Sequence, residues 1–169
     1  MGSVPERLEF PDRFVVEAWQ GPAGGIGFPV KSLYTEAVLL PILGPSATLC
    51  LRRLGAWASA RPNGFQVDAA QLARDLGLGD GLGRNAAMPR TLTRLCQFDM
   101  ARWADGRMAV RTVVPPLAER HLQRLSPELV KVHQAMVHRQ VAEVRSRPFI
   151  SASPEAPMMA PSAGVEMGL

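Results

Sequence analysis

Three histidines, two cysteines and an arginine-rich middle are the parts of this 169-residue sequence with chemistry to offer, and spacing sorts them. His121, His133 and His138 have no cysteine or carboxylate at metal-ligand spacing and read as ordinary helix histidines. Cys50 and Cys96 each lie inside an apolar stretch. Two such thiols build neither a disulfide framework nor a metal cluster, and nothing acidic or basic is tied to them that would activate a nucleophile. The glycine run from Gly77 to Gly83 is not followed by Lys-Ser/Thr, as a phosphate-cradling loop would be, and its spacing does not fit the dinucleotide fingerprint. It reads as a turn between helices. These residues predict a protein that is not an enzyme, with no catalytic residue, no metal and no cofactor.

Arginine has a pattern. Of the 19 basic residues all but Lys31 and Lys131 are Arg, which a GC-rich genome or a preference for the planar, phosphate-binding fork explains equally well. Residues 45–147 hold sixteen basic and eight acidic side chains, against three and five in residues 1–44. Within that basic middle, Arg90, Thr93, Arg94 and Gln97 recur at i, i+3, i+4 and i+7, and Met88, Leu92, Leu95 and Cys96 make an apolar face of the same helix. Such a polar stripe bonds base edges or phosphate from a helix lying in the major groove. A solvated outer face explains the same stripe without a ligand.

A second set of arginines follows. Asp105-Gly106 between two alternating runs predicts a hairpin that pairs Ala104 with Arg107, Trp103 with Met108, Arg102 with Ala109, Ala101 with Val110 and Met100 with Arg111. Parity then sets Arg102, Arg107 and Arg111 on one face, opposed only by Asp105 at the tip, and Ala101, Trp103, Met108 and Val110 on the other. Three unopposed guanidinium groups suit a polyanion, through backbone phosphate or a minor groove.

The elements that must position these residues are legible from punctuation. Gly44-Pro45 starts a helix that runs to about Ala60, with Leu49, Leu51, Leu54 and Trp57 as its apolar side. Phe65-Gln66-Val67 alternates as a short strand, and Asp68 with Gln71 three residues on is a capping pattern opening a helix from Ala69 to Leu76. Asn85 is placed to cap the arginine-bearing helix, 85–98, with Pro89 in its first turn. The hairpin spans 100–114, Leu117 to Leu125 reads as helix, and Ser126-Pro127-Glu128 starts a longer one to about Arg145. Residues 1–33 are rich in Gly and Pro and read as an irregular arm, partly packed through Phe14, Val15, Val16 and Trp19 as one short strand. Residues 146–169, with four prolines among Ser and Ala, read as a disordered tail.

Helix, short strand, capped helix, turn, basic helix and hairpin, in that order from residue 45 to 114, resembles the winged helix-turn-helix superfamily. The Gly83-Arg84-Asn85 turn followed by Arg90-Thr91-Leu92 is also similar to uncharacterised winged-helix-like proteins of GC-rich bacteria. The turn between the second and third helices is longer and more glycine-rich than the superfamily's tight turn. The resemblance implies a mainly α fold with a small β-hairpin, a winged helix-turn-helix domain over 34–145 with C-terminal helices. It implies a bacterial regulator of transcription that binds double-stranded DNA through Arg84, Asn85, Arg90, Thr93, Arg94, Gln97, Arg102, Arg107 and Arg111. A replication or partition accessory protein, or a module whose basic faces meet an acidic protein, are the alternatives.

The helix after Pro127 places Leu129, Val130, Met136, Val137, Val141 and Val144 on a broad apolar arc, which packs on its own domain or forms a homodimer seam through 127–145. The longest uncharged apolar stretch, Ala37 to Gly44, is too short to cross a bilayer and holds Pro41. The first twelve residues carry three acidic side chains and no apolar core of a secretory leader. With the paucity of cysteine, the expected compartment is the reducing cytoplasm, with no membrane partner.

Overall fold

The computed structural model describes residues 8–19, 25–83 and 85–146. Along the chain the strands are β1 (Arg13–Trp19), β2 (Phe28–Pro29), β3 (Phe65–Asp68), β4 (Ala101–Ala104), β5 (Arg107–Arg111) and β6 (Val113–Val114). The helices are a π-helical turn (Thr35–Leu39) leading into α1 (Leu40–Leu43), then α2 (Pro45–Ala60), α3 (Ala69–Asp75), α4 (Ala87–Gln97), α5 (Glu119–Leu122) and α6 (Pro127–Ser146).

The expectation of a mainly α fold with one small hairpin is corrected by the sheet. Four strands lie in the order β3-β1-β5-β4, and β2 and β6 form a second, two-stranded sheet, so the described chain is mixed α/β. The difference comes from the arm. Arg-Phe-Val-Val-Glu-Ala-Trp is seven residues long, and it enters the sheet interior, antiparallel to β3 and parallel to β5. A strand in that position satisfies both edges of its backbone and separates β3 from the hairpin. Its alternation puts Phe14 and Val16 fully into the core and Val15, Glu17 and Trp19 on the other face.

The hairpin register is as read from the sequence, Ala104 with Arg107 through Ala101 with Val110. Asp105 and Gly106 both have positive φ, 50° and 72°, as a tight turn that matches strand twist requires. The ladder stops short of Met100 and Arg111, although Arg111 N–H still donates to Met100 O at 3.0 Å. Beyond it the chain changes partner at Thr112, and Val114 faces Phe28 in the second sheet.

Helices cover the inner face of the four-stranded sheet. Proline at N1 starts α2, and its buried side is Ala47, Thr48, Cys50, Leu51, Leu54, Gly55 and Ala58. Leu49, expected there, is 53% exposed, because it falls on the opposite side of the helix from Leu51 and Leu54. Asp68 accepts the N–H of Gln71 at 3.0 Å and so caps α3 as the sequence implied. That bond is the main cause holding the Asp68 carboxyl below its usual range.

Three further boundaries differ. The apolar run 37–44, to which the sequence assigned no element, is the buried π-turn and α1, with Tyr34, Val38, Leu39, Ile42 and Leu43 all in the core. The cap of α4 is Ala86, with no side-chain bond, because the helix begins at Ala87 and Asn85 lies one residue too early to reach its free N–H groups. The helix expected over 117–125 is confined to α5, four residues. Of the tail 146–169, Ser146 closes α6 and the rest lies outside the described residues.

Gly55 lets α2 touch the sheet. A Cβ there would stand 2.6 Å from Arg111 O and 2.9 Å from a Val30 methyl carbon. The backbone oxygen cannot rotate away, so the helix itself must retreat. Gly55→Ala is expected to cost about 1–3 kcal/mol of stability in urea unfolding, despite alanine's higher helix propensity. A more stable variant would show that α2 has room to shift.

Candidate nucleic-acid interface

Helix α4 divides as its spacing implies. Met88, Leu92 and Leu95 are at most 1% exposed, Thr91 is buried, and Cys96 is half-buried against the core. Arg90, Arg94 and Gln97 are exposed and Thr93 partly so. Together with Ala87 and Pro89, these four polar residues line a groove of about 1150 Å³. Its other walls include Leu8, Glu9 and Phe10 of the arm, Leu43, Leu82, and the cap and first residues of α2, Gly44 to Ala47.

Two of these features are electropositive. The amino end of α2 turns unpaired N–H groups and the positive end of a 16-residue helix dipole towards the groove. Arg90 has no hydrogen-bond or ion-pair partner among the described residues. Glu9 is the acidic member of the lining.

Arg94 is committed elsewhere. Its Nη2 donates to Ile42 O at 2.8 Å and its Nε to Leu43 O, and the guanidinium lies 5.0 Å from the centre of the Phe98 ring. Those carbonyls are the last two of α1, which have no intrahelical partner. The fork therefore fastens α4 to α1 and sets the depth of the groove. Arg94 remains at the site as a positioning group, with its ligand-facing capacity reduced.

The hairpin arginines share one face, but that face is not unopposed. Arg107 Nη1 lies 3.1 Å from Glu17 Oε2, a pair that arises because β1 lies beside β5. Arg111 is 8% exposed: its Nε donates to Asp99 O at 2.6 Å, its Nη2 to Asp99 Oδ2 at 2.9 Å, and its guanidinium sits 3.8 Å from the Trp19 ring centre. Arg102 lies 4.0 Å from the same ring and 3.7 Å from Asp99 Oδ1. The expectation of three free guanidinium groups is thus corrected, and the reason is Glu17, Trp19 and Asp99. The sequence signal for the first two was the alternation of β1; Asp99, at φ 58°, carried none.

Asn85 is exposed beside the start of α4, and Arg84 lies outside the described residues. Of the remaining titratable groups, Tyr34 and His133 are hydrogen-bonded at 2.8 Å, and neither lines this groove. Burial pushes the Cys50 thiol up to about 12 and the Cys96 thiol up to about 11, so both stay protonated at neutral pH. His121 is lowered by partial burial and by Arg120 and Arg124, and its ring lies 5.4 Å from Phe98. Among the described residues no three His, Cys, Asp or Glu side chains are grouped to hold a metal ion. No helix among them is long and apolar enough to cross a membrane. No protein-family model, curated protein or solved structure matches this chain.

The two arginines of α4 should separate in a stability measurement. Arg94→Ala removes the charged donors of two helix-end carbonyls and is expected to cost about 1–3 kcal/mol. Arg90→Ala should stay within about 0.5 kcal/mol of the parent in the same denaturant series. Equal values for the two would mean that the clamp on α1 contributes nothing.

Proposed function

We propose that this chain binds double-stranded DNA without catalysis, as a regulator of transcription, and that α4 is the element that meets the duplex. The observation that carries the reading is the division of α4. Met88, Leu92 and Leu95 of its apolar side are buried in the core, while Arg90, Thr93 and Gln97 stand together in a groove that also receives the amino end of α2. Arg supplies a charge-assisted fork for phosphate or guanine, Gln and Thr reach base edges, and free N–H groups at a helix start donate to phosphate oxygen. Asn85 adds a polar group at the leading end of the helix.

The hairpin enters this reading in a reduced form. Arg107 and Glu17 are both substantially exposed, and an exposed pair is worth at most about 1 kcal/mol, so phosphate can displace the carboxylate. Arg102, 64% exposed at its side chain, is available in the same way. Arg111 is held between Asp99 and Trp19 and contributes structure. A two-fold pairing through α6 would present two α4 helices to successive half-sites, with Val144 the exposed part of an arc whose Leu129, Val130, Met136 and Val137 pack on the core. A replication or partition accessory role would use the same interface.

A second reading, in which the basic surface meets an acidic protein, would draw on the same exposed side chains, Arg90, Arg102 and Arg107. Anisotropy titrations of a labelled mixed-sequence duplex separate the two. Log affinity is expected to fall linearly with log salt, with Arg90→Ala lowering the slope by about 0.9, one phosphate contact. Binding that is absent at ~0.15 M ionic strength, or a slope unchanged in a folded Arg90→Ala protein, would remove DNA from consideration.

A further inference from the structure

We infer that α6 is a pH-gated arm, docked through a hydrogen bond that requires a neutral His133 and released when that ring is protonated. The helix is 20 residues long, yet His133 is its single buried residue. Beyond it, Leu129, Val130, Met136 and Val137 rest on the core only partly covered, and residues 142–146 are all exposed. The polar anchor of the helix to the body is therefore one side chain.

The proton positions at that anchor follow from its partners. Tyr34, at the start of the π-turn, is fully buried and stacked on Phe28 with ring centres 3.8 Å apart. Its hydroxyl oxygen accepts the Leu117 N–H at 2.8 Å. The hydroxyl proton then has His133 Nδ1, also at 2.8 Å, as its acceptor. Nδ1 must carry a lone pair for this arrangement, which puts the ring proton on Nε2. A proton added at Nδ1 turns acceptor into donor and leaves the Tyr34 proton, deep in the core, with nothing to bond. Tyr34 cannot relieve this by ionising, since burial holds its phenol up at about 12.

The titratable and charged groups around His133 are Tyr34 on the π-turn, Glu119 at the start of α5, and on its own helix His138 and Arg145, which line the same shallow groove. Burial lowers the proton affinity of the ring by more than Glu119 raises it. A released helix therefore takes up the proton before a docked one does. Docking is complete above the ordinary histidine value of 6.5 and weakens as pH falls below it, levelling off once the docked ring itself is protonated. The device is independent of whether α4 binds DNA.

Hydrogen exchange on the full chain, with the intrinsic pH dependence divided out against an unstructured peptide, tests this. The opening constant of α6 amides should rise about threefold or more from pH 7.5 to pH 5.5, while α2 amides stay unchanged. His133→Gln keeps an acceptor for Tyr34 but cannot be charged, and it should abolish the rise. A parent whose α6 opens equally at both pH values overturns the inference, and so does a Gln variant that keeps the full rise, which would assign it to Glu119 or His138. Should the Gln variant leave α6 open at both pH values, the parent decides: the NMR titration midpoint of the His133 ring must coincide with the midpoint of α6 opening, and separate midpoints overturn the proposal.

Discussion

Parallel pairing between β1 and β5 joins residues about ninety positions apart, Val15 with Arg107 through Trp19 with Arg111, and the rest of the sheet is arranged around it. Closing so long a loop has an entropic cost that grows only slowly with length, so the strand is affordable if it buries enough. Phe14 and Val16 go fully inside, and the indole of Trp103 receives Phe10 and Phe14 edge-on at 5.0 and 5.6 Å. The same pairing decides the electrostatics of the outer face. With β1 in place, Glu17 and Trp19 arrive beside guanidinium groups that a bare hairpin would leave to solvent or to a ligand.

A second constraint runs through the helices. α1 is only four residues, too short to hold itself, and its position rests on tertiary contacts at both ends. Preceding it, Tyr34 joins the π-turn to Leu117 and His133; following it, Arg94 takes its last carbonyls. α6 at one end of this segment and α4 at the other thus bear on the same few buried residues. A π-turn inside such a segment is a local distortion that packing must keep in place, and Val38, Leu39, Ile42 and Leu43 supply that packing as one buried side, with Leu40 and Pro41 facing out.

The helices and hairpin were legible where a local rule acts alone. Pro45 after Gly44 gave the start of α2, Asp68 with Gln71 gave the cap of α3, and Asp105-Gly106 gave the hairpin register residue by residue. The two faces of α4 followed from its period. What the sequence did not disclose was set by distant partners. Nothing near Arg13–Trp19 tells that the strand has both edges paired, and nothing near Arg94 tells that its donors face the carbonyls of residues more than fifty positions earlier. The run 37–44 is apolar all round, so periodicity distinguished no face in it, and the structure buries one side, Val38, Leu39, Ile42 and Leu43, while leaving Leu40 and Pro41 exposed. Leu49 is a misreading of legible spacing, since two residues before Leu51 is about 200° away around a helix and so on its other side.

The bias towards arginine now has a third explanation beside codon usage and phosphate recognition. Guanidinium groups lie over aromatic rings at five places, Arg53 on Trp57, Arg61 on Phe65, Arg94 on Phe98, and both Arg102 and Arg111 on Trp19. At Arg94 and Arg111 the same group also donates from two nitrogens at once, to adjacent carbonyls in one case and to a carbonyl and a carboxylate in the other. A lysine ammonium is a point charge that can neither stack as a plane nor divide its donors along a fixed fork. Arg94 and Arg111 at least have this structural task whatever the protein binds. Basic charge counted from the sequence therefore overstates what is free for a polyanion, and the excess of the middle segment narrows to a few side chains, Arg90 foremost, whose burial and partners leave them without a structural task.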